Sequence, residues 1–213
     1  MAITYDNALQ TQVDSSVTSV TRSFSVTGTD TAVVSNALTN IAADMSGVTY
    51  NSVSLTKAGE MNRDAFSTEV HYLLDTATGS NNLVWSSGSS ATFVTTATSY
   101  AGVKTSFTPN TSQANSTSST MSDSITIGTA NSWIISSSRT GGAYPNATGT
   151  NYERRAYNTT NGVHIGDSNG GLSTGSQTVS VGLSSSTSWH IFLLELEEAP
   201  TASTFTPKIM WFS

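Results

Sequence analysis

The feature that most constrains this chain is its apolar period: where large apolar side chains recur, they recur at every second residue. Val179, Val181 and Leu183 alternate with polar neighbours, Phe24 and Val26 share one face, and Val48 is in phase with Tyr50. A period of two puts such residues on one side of a pleated strand. Helical spacing is not sustained over ten positions; residues 32–45 come nearest and admit one or two turns. Strands are expected at Ala32–Leu38, Phe66–Leu74, Leu83–Trp85, Thr92–Val103, Met121–Ile127 and Ser132–Ser136. Gly47–Leu55 reads as a strand pair broken at Asn51-Ser52, and Asn tolerates the left-handed conformation of such turns. Trp189–Leu196 is apolar on both faces, as a central, doubly covered strand would be.

Between these runs lie expected loops. Lys57–Asp64 is charged, Lys104–Thr120 is polar and contains Pro109, and Gly128–Asn131 reads as a hairpin-like turn. Residues 139–175 are glycine-rich and read as a long loop with one short strand near Val163–Ile165. The expected fold is all-β, an antiparallel β-sandwich of jelly-roll-like form with long loops and extended terminal arms. Its expected parts are an N-terminal arm (1–16), a sandwich domain (17–198) and a C-terminal tail (199–213).

Composition supports one folded domain. Charged residues make up 10 % of the 213, and Ser and Thr supply roughly a third. Seven Phe, seven Tyr and four Trp provide the burial that a disordered Ser/Thr stalk lacks. Ser on the solvent faces would keep sheets soluble without charge. The net charge of −6, with eight Lys and Arg in all, speaks against nucleic acid as a partner. No apolar run approaches a membrane span. The chain has no cysteine, and its first residues, Met1 to Asp6, lack the basic and apolar regions of a secretory leader. Such a protein is expected to be made in a reducing cytoplasm.

Four segments together, Gly47–Thr56 (GVTYNSVSLT), Glu69–Gly79 (EVHYLLDTATG), Ser99–Val103 (SYAGV) and Ser188–Leu196 (SWHIFLLEL), resemble a largely uncharacterised family of Ser/Thr-rich β-sandwich proteins from phages and environmental bacteria. Two turn positions depart from that family: Ser52 stands in place of glycine, and Asp75-Thr76 in place of Asn-Pro. The resemblance implies a particle- or surface-associated sandwich and carries over no catalytic residue. The expected function is a phage virion structural protein, a capsid decoration or cement protein or a head fibre, exposed on the particle and non-enzymatic. The alternative is a carbohydrate- or receptor-binding module of a tail fibre or cell surface. Expected partners are further copies of the chain, as a trimer, the major capsid protein or another virion protein, and surface glycan; neither nucleic acid nor membrane is expected.

Catalytic and metal chemistry find weak footing. Gly171-Leu-Ser-Thr-Gly175 matches a nucleophile-elbow pattern, but a Gly/Ser-rich loop precedes Ser173 and a strand-like run follows it. The histidines, His71, His164 and His190, are not at metal-ligand spacing. Asp167-Ser-Asn-Gly170 opens like a calcium loop, but Thr178 occupies the position where the bidentate Glu belongs; an Asx turn is the other reading. Glu195 and Glu197 read as a solvated strand end. No cofactor is expected. The candidate contact surface is Tyr144, Tyr152, Arg154, Arg155 and Tyr157, because Tyr and Arg are enriched at binding hot spots. The candidate docking tail carries Phe205, Ile209, Met210, Trp211 and Phe212.

Overall fold

A computed structural model describes residues 1–40, 45–63, 66–157 and 162–200. The five apolar residues of the candidate docking tail lie outside these. The described chain contains strands and no helix; residues 32–40 are fully extended. The fold is all-β, two antiparallel sheets curled against each other in a sandwich-like arrangement.

The first sheet holds β1 (Thr4–Val26), β2 (Ala32–Asn40), β3 (Met45–Tyr50), β4 (Val53–Ser54), β5 (Thr56–Arg63), β6 (Phe66–Leu74) and β7 (Gly79–Ala101). Its order is β4-β3-β7-β2-β6-β5, with β1 also paired to β7. The second sheet holds β8 (Thr111–Ile127), β9 (Trp133–Thr140), β10 (Thr148–Gly149), β11 (Tyr152–Ala156), β12 (Val163–Asp167) and β13 (Gly175–Leu196), in the order β10-β11-β12-β9-β13-β8.

Several segments read from the sequence as loops or arms are strands. Residues 4–16 are the first half of β1, paired to β7 from Thr4↔Ala101 onward. Residues 111–120 begin β8, and the charged 57–63 segment lies within β5. The region 139–175 contains β10, β11 and β12. Gly128–Asn131 joins strands that are not neighbours, since β13 runs between β8 and β9. The Asn51-Ser52 turn forms as expected: both residues are left-handed, φ 48° and 65°, and the turn joins β3 to β4.

The two sheets are two copies of one architecture. β7 and β13 are long strands with almost the same sequence of buried and exposed positions. On one edge each pairs along its length with the first strand of its unit, β1 or β8. The register breaks at the same place in both. Ser19↔Ser86 is followed by Val17↔Ala91, and Thr120↔Gly182 is followed by Ser118↔Thr187, so Ser87–Ser90 and Leu183–Ser186 bulge from equivalent points. On the other edge Ala32↔Tyr100 corresponds to Trp133↔Leu196. The bulge between Lys57 and Gly59 in the β5–β6 pair recurs between Arg154 and Ala156 in β11–β12. Pro145↔Leu183 and Thr150↔Ser180 reproduce in outline the β3–β7 pairing, where Met45 faces Ser87 and Thr49 faces Val84.

The cores follow this duplication. Phe24, Tyr50, Leu83, Trp85 and Phe93 fill the first unit, while Met121, Ile125, Val181, Trp189 and Ile191 fill the second. A third cluster, including Val34, Val70, Tyr100, Ile135, Ile165, Phe192 and Leu194, is shared between them. Trp189–Leu196 is the doubly covered strand its sequence implied: Ile191 and Leu193 enter the second unit's own core, Phe192 and Leu194 the shared one. Contacts between units are reciprocal, since β11 touches β7 and β5 touches β13. On the second of these paths Gly59 lies against Phe192; a Cβ there would lie 2.2 Å from its ring. Serine is not confined to solvent faces: Ser136, Ser137 and Ser138 on β9 are each 1 % exposed.

Candidate contact surface

The five residues proposed as a contact surface divide into two groups. β11 carries Tyr152 inward, where its ring covers Gly166; a Cβ at Gly166 would come within 2.4 Å of it. Burial raises the Tyr152 hydroxyl above its ordinary pKa. Arg155 also turns inward. It donates from Nε and Nη2 to the fully buried carboxylate of Asp167, and from Nη1 to Glu153 at 2.6 Å. Its guanidinium lies 4.5 Å from the centre of the Tyr5 ring, and Tyr100 donates its hydroxyl to Asp167 at 3.2 Å. Tyr5 and Tyr100 belong to the first unit, so Arg155 and Asp167 fasten the two units together. Tyr152 and Arg155 are thus structural rather than part of an exposed face.

Tyr144, Arg154 and Tyr157 remain, all half-buried and close together. The Arg154 guanidinium lies 3.5 Å from the centre of the Tyr157 ring and donates to the Pro145 carbonyl at 2.6 Å. The Tyr144 ring centroid is 6.3 Å from that of Tyr157, at an interplanar angle of 43°. Gln10 of β1 buttresses this corner, donating to the Arg155 carbonyl and accepting from the Tyr157 N–H. The result is a tilted aromatic and cationic face held by the backbone. Such a face stacks on flat apolar surfaces, including those of sugar rings, and attracts carboxylates.

The other candidates resolve into structural roles. Asp167 accepts the Asn169 N–H at 2.9 Å, an Asx turn, with Asn169 left-handed. Burial raises the Asp167 pKa against the opposing pull of Arg155. Ser173 is exposed, and its hydroxyl accepts from the Gln177 side chain at 3.1 Å. Glu195 is not solvated. It is 1 % exposed and accepts hydrogen bonds from the Gly128 and Thr129 N–H groups and from Asn110. Glu197 pairs with Lys104 at 2.6 Å. His71 and His164 are buried, and desolvation lowers their pKa values to about 4 and about 3. Among the described residues no group of three His, Asp or Glu side chains is placed to hold a metal ion.

One feature escaped sequence reasoning. An open cleft of about 320 Å³ runs between the units, lined by Val13, Leu38, Phe66 and Val94 with Arg139 across from them. Arg139 lies 5.0 Å from the centre of the Phe66 ring. Its walls come from distant parts of both units, and no local pattern announces it. Comparison with family models, curated proteins and solved structures finds no match to this chain.

Proposed function

We propose that the chain is a structural protein of a virus particle, a capsid decoration or cement protein or a head fibre, seated on the major capsid protein and exposed on the particle surface. The observation that carries this reading is where the buried charge goes. Asp167 is held by Arg155 and Tyr100, and Glu195 is held by backbone N–H groups and Asn110. Both carboxylates tie strands together. With two fused sheets, a shared core and a Ser/Thr-rich exterior, these ties suit a rigid, weakly charged body that works by being present on a surface. The four resembling segments support the same reading. Quantitative mass spectrometry of purified particles tests it. Many copies per particle support decoration, and absence from the particle overturns it.

A second reading, glycan recognition by a tail-fibre or surface module, is favoured by the stacked Arg154 and Tyr157 beside Tyr144. Aromatic faces of this kind pack on sugar rings. Binding to a glycan array that is lost in Tyr157→Ala, with folding intact, would favour it over the first.

A further inference from the structure

The duplication matches Arg154 with a cation of the first unit whose surroundings differ from its own. The bulge common to β5–β6 and β11–β12 aligns Lys57, opposite His71, with Arg154, opposite Gly166. Because Ala32 corresponds to Trp133, Ser35 and Ala37 correspond to Ser136 and Ser138. Ser35 faces His71 where Ser136 faces Gly166, and Ala37 faces Glu69 where Ser138 faces His164. Glu69 therefore matches His164. Past the bulge Gly59 matches Ala156, so Glu60 matches Tyr157. Lys57 is held between two carboxylates, Glu60 at 2.5 Å and Glu69 at 3.2 Å. The second unit keeps the cation and has an acid at neither place.

Arg154 has no carboxylate partner among the described residues. Its side chain makes one hydrogen bond, from Nη1 to the Pro145 carbonyl, and one ring contact, with Tyr157. A guanidinium has five N–H donors, so most of them are left over. The neighbouring acids are committed elsewhere, since Glu153 and Asp167 both accept from Arg155. Asn158 to Asn161, which follow Tyr157 in the chain, include no acid. The face is also fixed in place: Tyr144 exchanges hydrogen bonds with Ser184 of the β13 bulge, its N–H to the hydroxyl and its carbonyl to the Ser184 N–H.

We propose that this face binds an acidic sugar, a uronic or sialic acid residue, with Arg154 taking the carboxylate and the Tyr144 and Tyr157 rings packing on the C–H face of the pyranose. The inference rests on the second reading above, glycan recognition, and names the class of glycan. The first unit carries the argument for the anion. There the fold closes the cation with carboxylates from its own strands; in the second unit those places are Tyr157 and His164, and the anion is left to a ligand. A planar guanidinium grips a carboxylate through two parallel N–H···O bonds, which fixes orientation as well as charge. The argument for a ring is the pair of tyrosines, 6.3 Å apart and inclined at 43°, a shallow aromatic surface beside the cation.

Titration calorimetry of the full-length protein tests this, with oligosaccharides ending in glucuronate or sialate, each beside its carboxyl-reduced form. One acidic form should bind about tenfold or more tighter than its reduced form, the scale of one charge-assisted hydrogen bond. That preference should disappear in Arg154→Gln and shrink as salt rises, while binding of the reduced form stays insensitive to salt. Equal binding of acidic and reduced forms, or a preference that survives Arg154→Gln, overturns the proposal and leaves glycan recognition standing. Binding of no form, acidic or reduced, overturns both. A peptide of glutamates that competes as well as the acidic sugar overturns it too, since the rings then play no part. If Arg154→Gln fails to fold, the salt dependence of the wild type decides: a preference that salt does not reduce overturns it.

Discussion

Arg155 grips Asp167 with a two-point fork, Nε to Oδ2 at 2.6 Å and Nη2 to Oδ1 at 2.9 Å. The carboxylate is fully buried, and Tyr100 of the other unit donates to it. Such a pair is costly to break and cheap to replace, because removing one partner leaves a buried charge uncompensated.

Arg155→Met should therefore lower unfolding stability by about 3–5 kcal/mol, measured by denaturant titration. Adding Asp167→Leu to it should restore most of the loss. If the double variant is no more stable than the single one, the ion pair is not the source of the effect.

Thr95→Val should stabilise the protein by about 1 kcal/mol. Thr95 is fully buried, and its hydroxyl has no partner among the described residues. The second unit supplies the control: Ile191 occupies the equivalent place on β13 and fills its core. A lower thermal midpoint for this variant would show that the first unit needs the hydroxyl.

Ser52→Gly should also stabilise, by about 1 kcal/mol, because a left-handed conformation strains any residue with a Cβ. At φ 65° Ser52 bears that strain at an exposed turn. The thermal midpoint of the variant, compared with wild type, checks it.

Glu195→Ala should cost about 2 kcal/mol, the scale of hydrogen bonds to a charged group. It leaves the Gly128 and Thr129 N–H groups without their acceptor. Glu195→Gln retains an acceptor oxygen and should cost less. Equal losses in the two variants would place the effect in packing instead.

Stability should fall as pH drops from about 6.5 toward 4. His71 and His164 have folded pKa values lowered to about 4 and about 3 by burial, so the unfolded chain takes up protons first. Burial is the main cause for His71, and the Lys57 charge lowers its pKa further. Each histidine contributes up to about 1.4 kcal/mol per pH unit between its folded and unfolded values. Thermal midpoints measured across this range in wild type and in His164→Gln should show a shallower slope in the variant.

The sandwich was legible in the sequence because Val179, Val181 and Leu183, and the Trp189–Leu196 run, display the period of their burial. β1 and β8 were only half legible. Both begin as edge segments: residues 4–16 space Tyr5, Leu9 and Val13 four apart across register breaks, and residues 111–120 are polar but for Ala114, so no alternation marks either. The duplication was hidden by compensating volumes: Phe93 stands where Trp189 does, Trp85 where Val181 does, and Thr95 where Ile191 does. Pairing register carries that likeness; residue identity does not. Of the contact surface, Tyr144, Arg154 and Tyr157 come together, while Arg155 and Tyr152 turn inward, since the Arg154–Ala156 bulge changes which side chains of β11 face out.

The bulges at Ser87–Ser90 and Leu183–Ser186 confer independence on the two arms of each long strand. A slip of one residue ordinarily turns every side chain of a strand to the wrong face. Here the inward phase is the same on both sides of the bulge, from Leu83 and Trp85 to Ala91 and Phe93, and Gly88–Ser90 and Ser184–Ser186 between the two arms are exposed, so a change of length there falls outside the core. Phe93 and Leu83, like Trp189 and Val179, enter one core from either side of the bulge. These two exposed points are where the chain can change length without a change of core.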